Sequence, residues 1–136
     1  MKRIEYLKLL SNLFEYKIIK DKFNNEYVVL KENIFTHIDN ISDKTAFEAI
    51  ENHIHLIDNI TKEEFKILPD IAESIGKAVL CNLKVSYPQK HFVIFVSISL
   101  SGSMIIRFHQ KWENEDYYYN VADFDSSNEK VFMFED

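Results

Sequence analysis

His91-Phe92-Val93-Ile94-Phe95-Val96-Ser97-Ile98-Ser99-Leu100, then Ser101-Gly102-Ser103, then Met104-Ile105-Ile106-Arg107-Phe108-His109-Gln110-Lys111-Trp112, is the stretch that decides the fold. Its apolar period is two. Phe92, Ile94, Val96, Ile98 and Leu100 fall on the even side of the first half, and Met104, Ile106, Phe108 and Trp112 on the even side of the second. Two strands joined by a hairpin follow. Facing residues of an antiparallel pair have a constant index sum, and two even faces reach one core only if that sum is even. A two-residue loop would set Arg107 opposite Val96. A three-residue loop, Ser101-Gly102-Ser103, instead pairs Leu100 with Met104, Ile98 with Ile106, Val96 with Phe108 and Phe92 with Trp112, with Gly102 available for a positive φ. A one-residue slip turns every side chain over, so burial selects the even sum. The opposite face then carries Ser97, Ser99, Arg107, His109 and Lys111 among Val93, Phe95 and Ile105.

Towards the N-terminus the period becomes helical. Over 3–15, Ile4, Leu7, Leu10, Leu13 and Phe14 share one helix face. Ile18-Ile19 and Tyr27-Val28-Val29-Leu30 flank Asn24-Asn25, which predicts a hairpin within 16–30. Ser42 or Asp43 caps a helix expected to run to about Ile57, with Ala46, Phe47, Ile50, Ile54 and Ile57 on one face. Thr61-Lys62-Glu63-Glu64 has the pattern of a capping box. The short helical turn it opens should stop before Pro69, and a longer helix with Ile71, Ile75, Val79 and Leu83 should run from Pro69 to near Ser86. Beyond the hairpin, 117–124 and 130–135 read as two more strands, separated by Asp125-Ser126-Ser127-Asn128. The expectation is one α+β domain over 1–136: N-terminal helices (about 1–88) packed on a C-terminal antiparallel β-meander (about 91–135).

Composition narrows the class. The chain has 136 residues, with eleven Phe and seven Tyr but two Gly and two Pro, which leaves little for Gly-rich phosphate loops. One cysteine, Cys81, excludes an internal disulfide and fits a reducing compartment. Glu5, Lys8 and Glu15 interrupt any signal-like apolar segment, and the apolar run at 92–96 is too short to span a bilayer, so the expected location is cytoplasmic.

Several residues invite a chemical reading. Arg107 and His109, two apart on a strand, could clamp an anion or exchange a proton, or could pair with acids of a neighbouring strand. His53 and His55, read as helical, would point about 200° apart and could not share a metal. No metal and no cofactor is expected. Cys81, on an amphipathic helix, reads as a small buried hydrophobe, and Gly76 as a site of close helix packing.

Charge is the most polarised feature. Residues 113–136 hold eight acids and one lysine, whereas the preceding 112 hold fourteen acids and fifteen Lys or Arg. Glu113, Glu115, Asp116, Asp123 and Asp125, with Tyr117 and Tyr119 between them, form the candidate partner-binding set. Arg107, His109 and Lys111 form an alternative interface. Such an acidic, aromatic surface suits a basic protein and repels nucleic acid. The block 92–115, ending Arg107-Phe108-His109-Gln110-Lys111-Trp112-Glu113-Asn114-Glu115, resembles strand regions of small bacterial immunity proteins of contact-dependent and other polymorphic toxin systems. The Lys-, Asn- and Ile-heavy composition is similar too. The resemblance covers the C-terminal third and transfers no residue role. It implies a cytosolic antitoxin that binds and neutralises a cognate toxin domain, often a basic nuclease. Separately, the residues assemble no nucleophile–base pair, metal cluster or cofactor loop, so no enzymatic activity is expected. The competing expectations are a non-catalytic adaptor or oligomeric scaffold, and a small enzyme built on Arg107 and His109.

Overall fold

The computed structural model describes residues 3, 14–33, 38 and 41–136. The helix expected over 3–15 lies almost entirely outside them. The described residues form an α+β fold of two helices and six antiparallel strands. Its helices are interspersed with the strands, not gathered at the N-terminus.

Strands β1 (Tyr16–Lys20) and β2 (Glu26–Leu30) make the expected hairpin. Asn24 takes φ 64° at its tip, the left-handed conformation that asparagine tolerates. Asp21 organises the turn, accepting from Phe23 N (2.9 Å), Asn25 N (3.0 Å), Asn25 Nδ2 (2.9 Å) and the Tyr27 hydroxyl (2.8 Å). Desolvation alone would raise its carboxyl; those donors outweigh it and bring the pKa to about 2.

Helix α1 (Lys44–Glu51) opens on Asp43, whose side chain accepts from Ala46 N. It ends six residues earlier than expected. Its C-cap Asn52 donates its backbone N–H to Glu48 O, accepts from Leu30 N and donates Nδ2 to Val28 O. The chain then leaves as strand β3 (His53–Ile57), paired with the second strand of the central hairpin. The Ile50, Ile54, Ile57 spacing fits a helix, but Ile54 and Leu56 pack as alternate residues of a strand against the main core.

Helix α2 (Lys62–Ser86) carries the full capping box, with Thr61 N donating to Glu64 Oε1 and Glu64 N to Thr61 Oγ1. It does not stop at Pro69; one helix runs through it. An interior proline costs about 3 kcal/mol. The buried stripe of Leu68, Ile71, Ala72, Ile75, Val79 and Leu83 spans the proline without a break, and burial worth ~1.5–3 kcal/mol per large side chain favours continuity.

Strands β4 (Phe92–Ser99), β5 (Met104–Gln110) and β6 (Glu129–Glu135) complete a sheet of order β3-β5-β4-β6. The β4–β5 index sum is even, as burial requires, but two lower than expected: Ile98 faces Met104, Val96 faces Ile106, Ile94 faces Phe108 and Phe92 faces Gln110. Ser99 N donates to Ser103 O, so the three loop residues are Leu100, Ser101 and Gly102, and Ser101 takes the positive φ of 64°. Tertiary clamps hold the loop there. Ile60 exchanges hydrogen bonds with Gly102 O and Ser101 N, and Leu100 N donates to Asn128 O.

Because parity is kept, the faces are as expected. Ile94, Val96, Ile98, Met104, Ile106 and Phe108 form the core with α2. Gly76 admits Phe134 to the helix backbone: a Cβ there would lie 2.3 Å from Phe134 Cδ2 and Cε2. The meander, however, is broken. Residues 117–124 form no strand; after irregular chain they close in a short 3-10 turn at Val121–Phe124. The chain crosses the sheet and returns as β6 beyond β4.

Candidate partner-binding surface

The segment between β5 and β6 is a strap across the sheet face opposite α2. Val93, Phe95 and Val131 are buried beneath it, with Tyr118, Tyr119, Val121 and Phe124 packed on them. Tyr119 meets Phe95 and Phe124 edge-on, both with ring centroids 5.1 Å away. Asn120 opens the 3-10 turn as its N-cap, its side chain accepting from Ala122 N at 3.3 Å.

This strap buries His109 and packs on Arg107, two of the three residues of the alternative interface, while Lys111 keeps part of its side chain exposed. His109 is 1 % exposed. Its Nδ1–H donates to Gln110 O at 2.7 Å, and Nε2 accepts from Tyr118 N at 3.2 Å. One nitrogen gives and the other receives, the pattern of a neutral imidazole. Burial lowers its pKa, against opposing pulls from the Gln110 carbonyl and the Glu115 and Asp43 charges. Arg107 donates Nη1 to Ala49 O at 2.7 Å and lies over the rings of Tyr118 and Tyr119, 5.2 and 5.7 Å from their centroids. Lys111 is bound to the Asp136 carbonyl and lies 3.6 Å from Glu135. All three residues hold the molecule together.

The acidic set divides. Glu113, Asp116, Asp123 and Asp125 are exposed, and Asp125 forms an exposed ion pair with Lys130 at 3.4 Å. Glu115 turns inward to the start of α1, accepting from Thr45 N (2.7 Å) and Lys44 N (3.2 Å). Its burial would raise its pKa, but these donors and the Lys44 charge hold it below the usual glutamate value. Tyr117 is 39 % exposed, its phenol raised by a hydrogen bond to Glu135. Tyr119 faces the sheet. The exposed remainder is therefore Glu113, Asp116, Asp123, Asp125 and Tyr117. Asp116 and Tyr117 also border a cleft of about 480 Å³ against α1, together with Asp43 and Ala46.

A buried carboxylate unmarked by any motif anchors this arrangement. Glu48, 0 % exposed, accepts from Gln110 N (2.8 Å) and Trp112 Nε1 (2.6 Å) on Oε1, and from Val28 N (2.9 Å) and Gln110 Nε2 (2.8 Å) on Oε2. Desolvation pushes its pKa up to about 7 against those four donors. The signal in the sequence was the polar set Thr45, Glu48 and Asn52 at helical spacing, all of it buried.

Two further expectations are corrected. Cys81 is exposed, on the solvent side of α2. His53 and His55 lie on a strand, where residues two apart point the same way, and their ring centroids are 5.8 Å apart. Among the described residues, no helix is long and apolar enough to cross a membrane. No protein family, no curated protein and no solved structure matches the chain.

Proposed function

We propose that this protein is an immunity protein, binding and neutralising a cognate cationic toxin domain, a nuclease, by covering its active or substrate-binding surface. The observation that carries the reading is the acidic strap: Glu113, Asp116, Asp123 and Asp125 are exposed, and Tyr117 is partly so, on a segment whose Tyr118, Tyr119 and Phe124 are packed on the sheet. A surface already ordered by its own core loses little conformational freedom on binding. Clustered acids steer a basic partner and raise the association rate, while Tyr117 adds contact area with few torsions to freeze. The acids repel a phosphate backbone, and the protein's contact is with the toxin, not with nucleic acid or membrane. The resemblance of 92–115 to immunity-protein strands points the same way. Co-expression with a candidate toxin domain tests it: wild-type protein should rescue growth, and Glu113→Lys/Asp116→Lys/Asp123→Lys should lose rescue while remaining folded.

A second reading, an adaptor or scaffold, draws on β6, which is an edge strand of its sheet. It predicts self-association that is insensitive to the acid reversals. The enzyme reading would have to use Arg107 and His109 side chains that here make internal hydrogen bonds.

A further inference from the structure

His53 and His55 stand on β3, an edge strand of the four-stranded sheet, and both are exposed on the same strand face. Their Nδ1 atoms are already committed. His53 Nδ1 lies 2.6 Å from Ile50 O, and a carbonyl can only accept, so the proton is on Nδ1. His55 Nδ1 lies 3.2 Å from Asp58 Oδ1. Asp58 in turn accepts from the Ser103 hydroxyl. Each Nδ1 thus faces an oxygen acceptor, which favours the Nδ1–H tautomer and leaves the ring's lone pair on Nε2. An oxygen acceptor behind Nδ1 is the support that metal-ligating histidines use: it sets the tautomer, orients the ring and makes Nε2 more basic.

We propose that His53 and His55 form a two-imidazole chelate, through their Nε2 atoms, for a borderline divalent transition-metal ion such as Cu(II) or Zn(II). Imidazole nitrogen suits these ions and does not suit Mg(II) or Ca(II), and Cu(II) binds more tightly than Zn(II) at a given nitrogen site. Among the described residues no third His, Cys, Asp or Glu joins the pair to complete a set, so the described residues supply two ligands, fewer than the four of a closed structural zinc centre. It is independent of the acidic strap and of the proposed function.

Titration of the whole protein with Zn(II) by calorimetry, and with Cu(II) by paramagnetic broadening of the imidazole Cε1–H resonances, tests the assignment. The expected result is one ion per chain, selective broadening of His53 and His55, and no displacement by excess Mg(II). His53→Ala and His55→Ala, at exposed positions that should leave the fold intact by circular dichroism, should each weaken binding by about tenfold or more. His91→Ala should bind as wild type does. Wild-type affinity in either His53→Ala or His55→Ala, broadening centred on His91, or competition by Mg(II) would overturn the proposal.

Discussion

The Gln110 side chain donates Nε2 to Glu48 Oε2 at 2.8 Å, while its own backbone N–H donates to Glu48 Oε1 at 2.8 Å. One residue of β5 thus grips both oxygens of a carboxylate on α1. Val28 and Trp112 add the remaining two donors, so Glu48 ties β1–β2 and α1 to the sheet. Removing it by Glu48→Ala takes the acceptor from the buried Val28 and Gln110 backbone N–H groups and from the part-buried Trp112 Nε1, while Gln110 Nε2 keeps Glu26 O at 2.9 Å. The expected loss is on the order of 3 kcal/mol or more, read as a lower urea midpoint.

The same residue gives stability a pH dependence. Its folded pKa of about 7 lies above the ordinary glutamate value of 4.5, so the folded state holds this proton more tightly than the unfolded chain does. Its contribution is therefore full below about pH 4.5 and lost as pH rises through 7. Urea midpoints measured across that window should decline for wild type and flatten in Glu48→Gln. An equal slope in both proteins would assign the dependence to other groups.

Gly76→Ala adds a methyl where Phe134 already stands, 2.3 Å away. Overpacking of this kind costs about 1–3 kcal/mol, against a helix-propensity gain of ~1 kcal/mol. The net expectation is a destabilised protein, with weakened amide protection along β6. An increase in thermal midpoint would show that the Phe134 ring moves aside freely.

Glu115 caps α1 and is directed inward, so its role in stability separates from any role in binding. Glu115→Ala should cost about 1 kcal/mol, the usual worth of a helix N-terminal cap. Its effect on partner association should be smaller than that of Asp116→Ala. A larger effect on association would return Glu115 to the recognition surface.

Much of this fold was legible, and the failures share a cause. Alternation in 91–112 established which residues face the core, because burial of one face enforces parity. It could not separate the observed pairing from one displaced by two residues, since both keep parity; Ile60 and Asn128, distant in sequence, decide between them. His53–Ile57 was read as helix because Ile50, Ile54 and Ile57 satisfy helical spacing, and pairing with β5 overrode it. Pro69 suggested a break that a continuous buried stripe prevented. Tyr117-Tyr118-Tyr119 and Phe124 imitate a strand, yet their rings serve as a cover for Phe95 and Val93. Of the candidate surface, the charge partition was visible in composition. The inward turns of Glu115, Tyr119, Arg107 and His109 were not, because they depend on that cover.

The central claim is that the exposed acids of the strap capture a basic toxin domain. It is tested most directly by the association rate of a verified toxin partner with Glu113→Lys/Asp116→Lys/Asp123→Lys, followed by stopped flow from low to high salt. Single exposed pairs contribute only ~0.2–1 kcal/mol, so three reversals are needed for a clear effect. The account predicts a steep fall in rate at low ionic strength that narrows as salt screens the charges. A folded triple variant that binds at the wild-type rate at every salt concentration would contradict it.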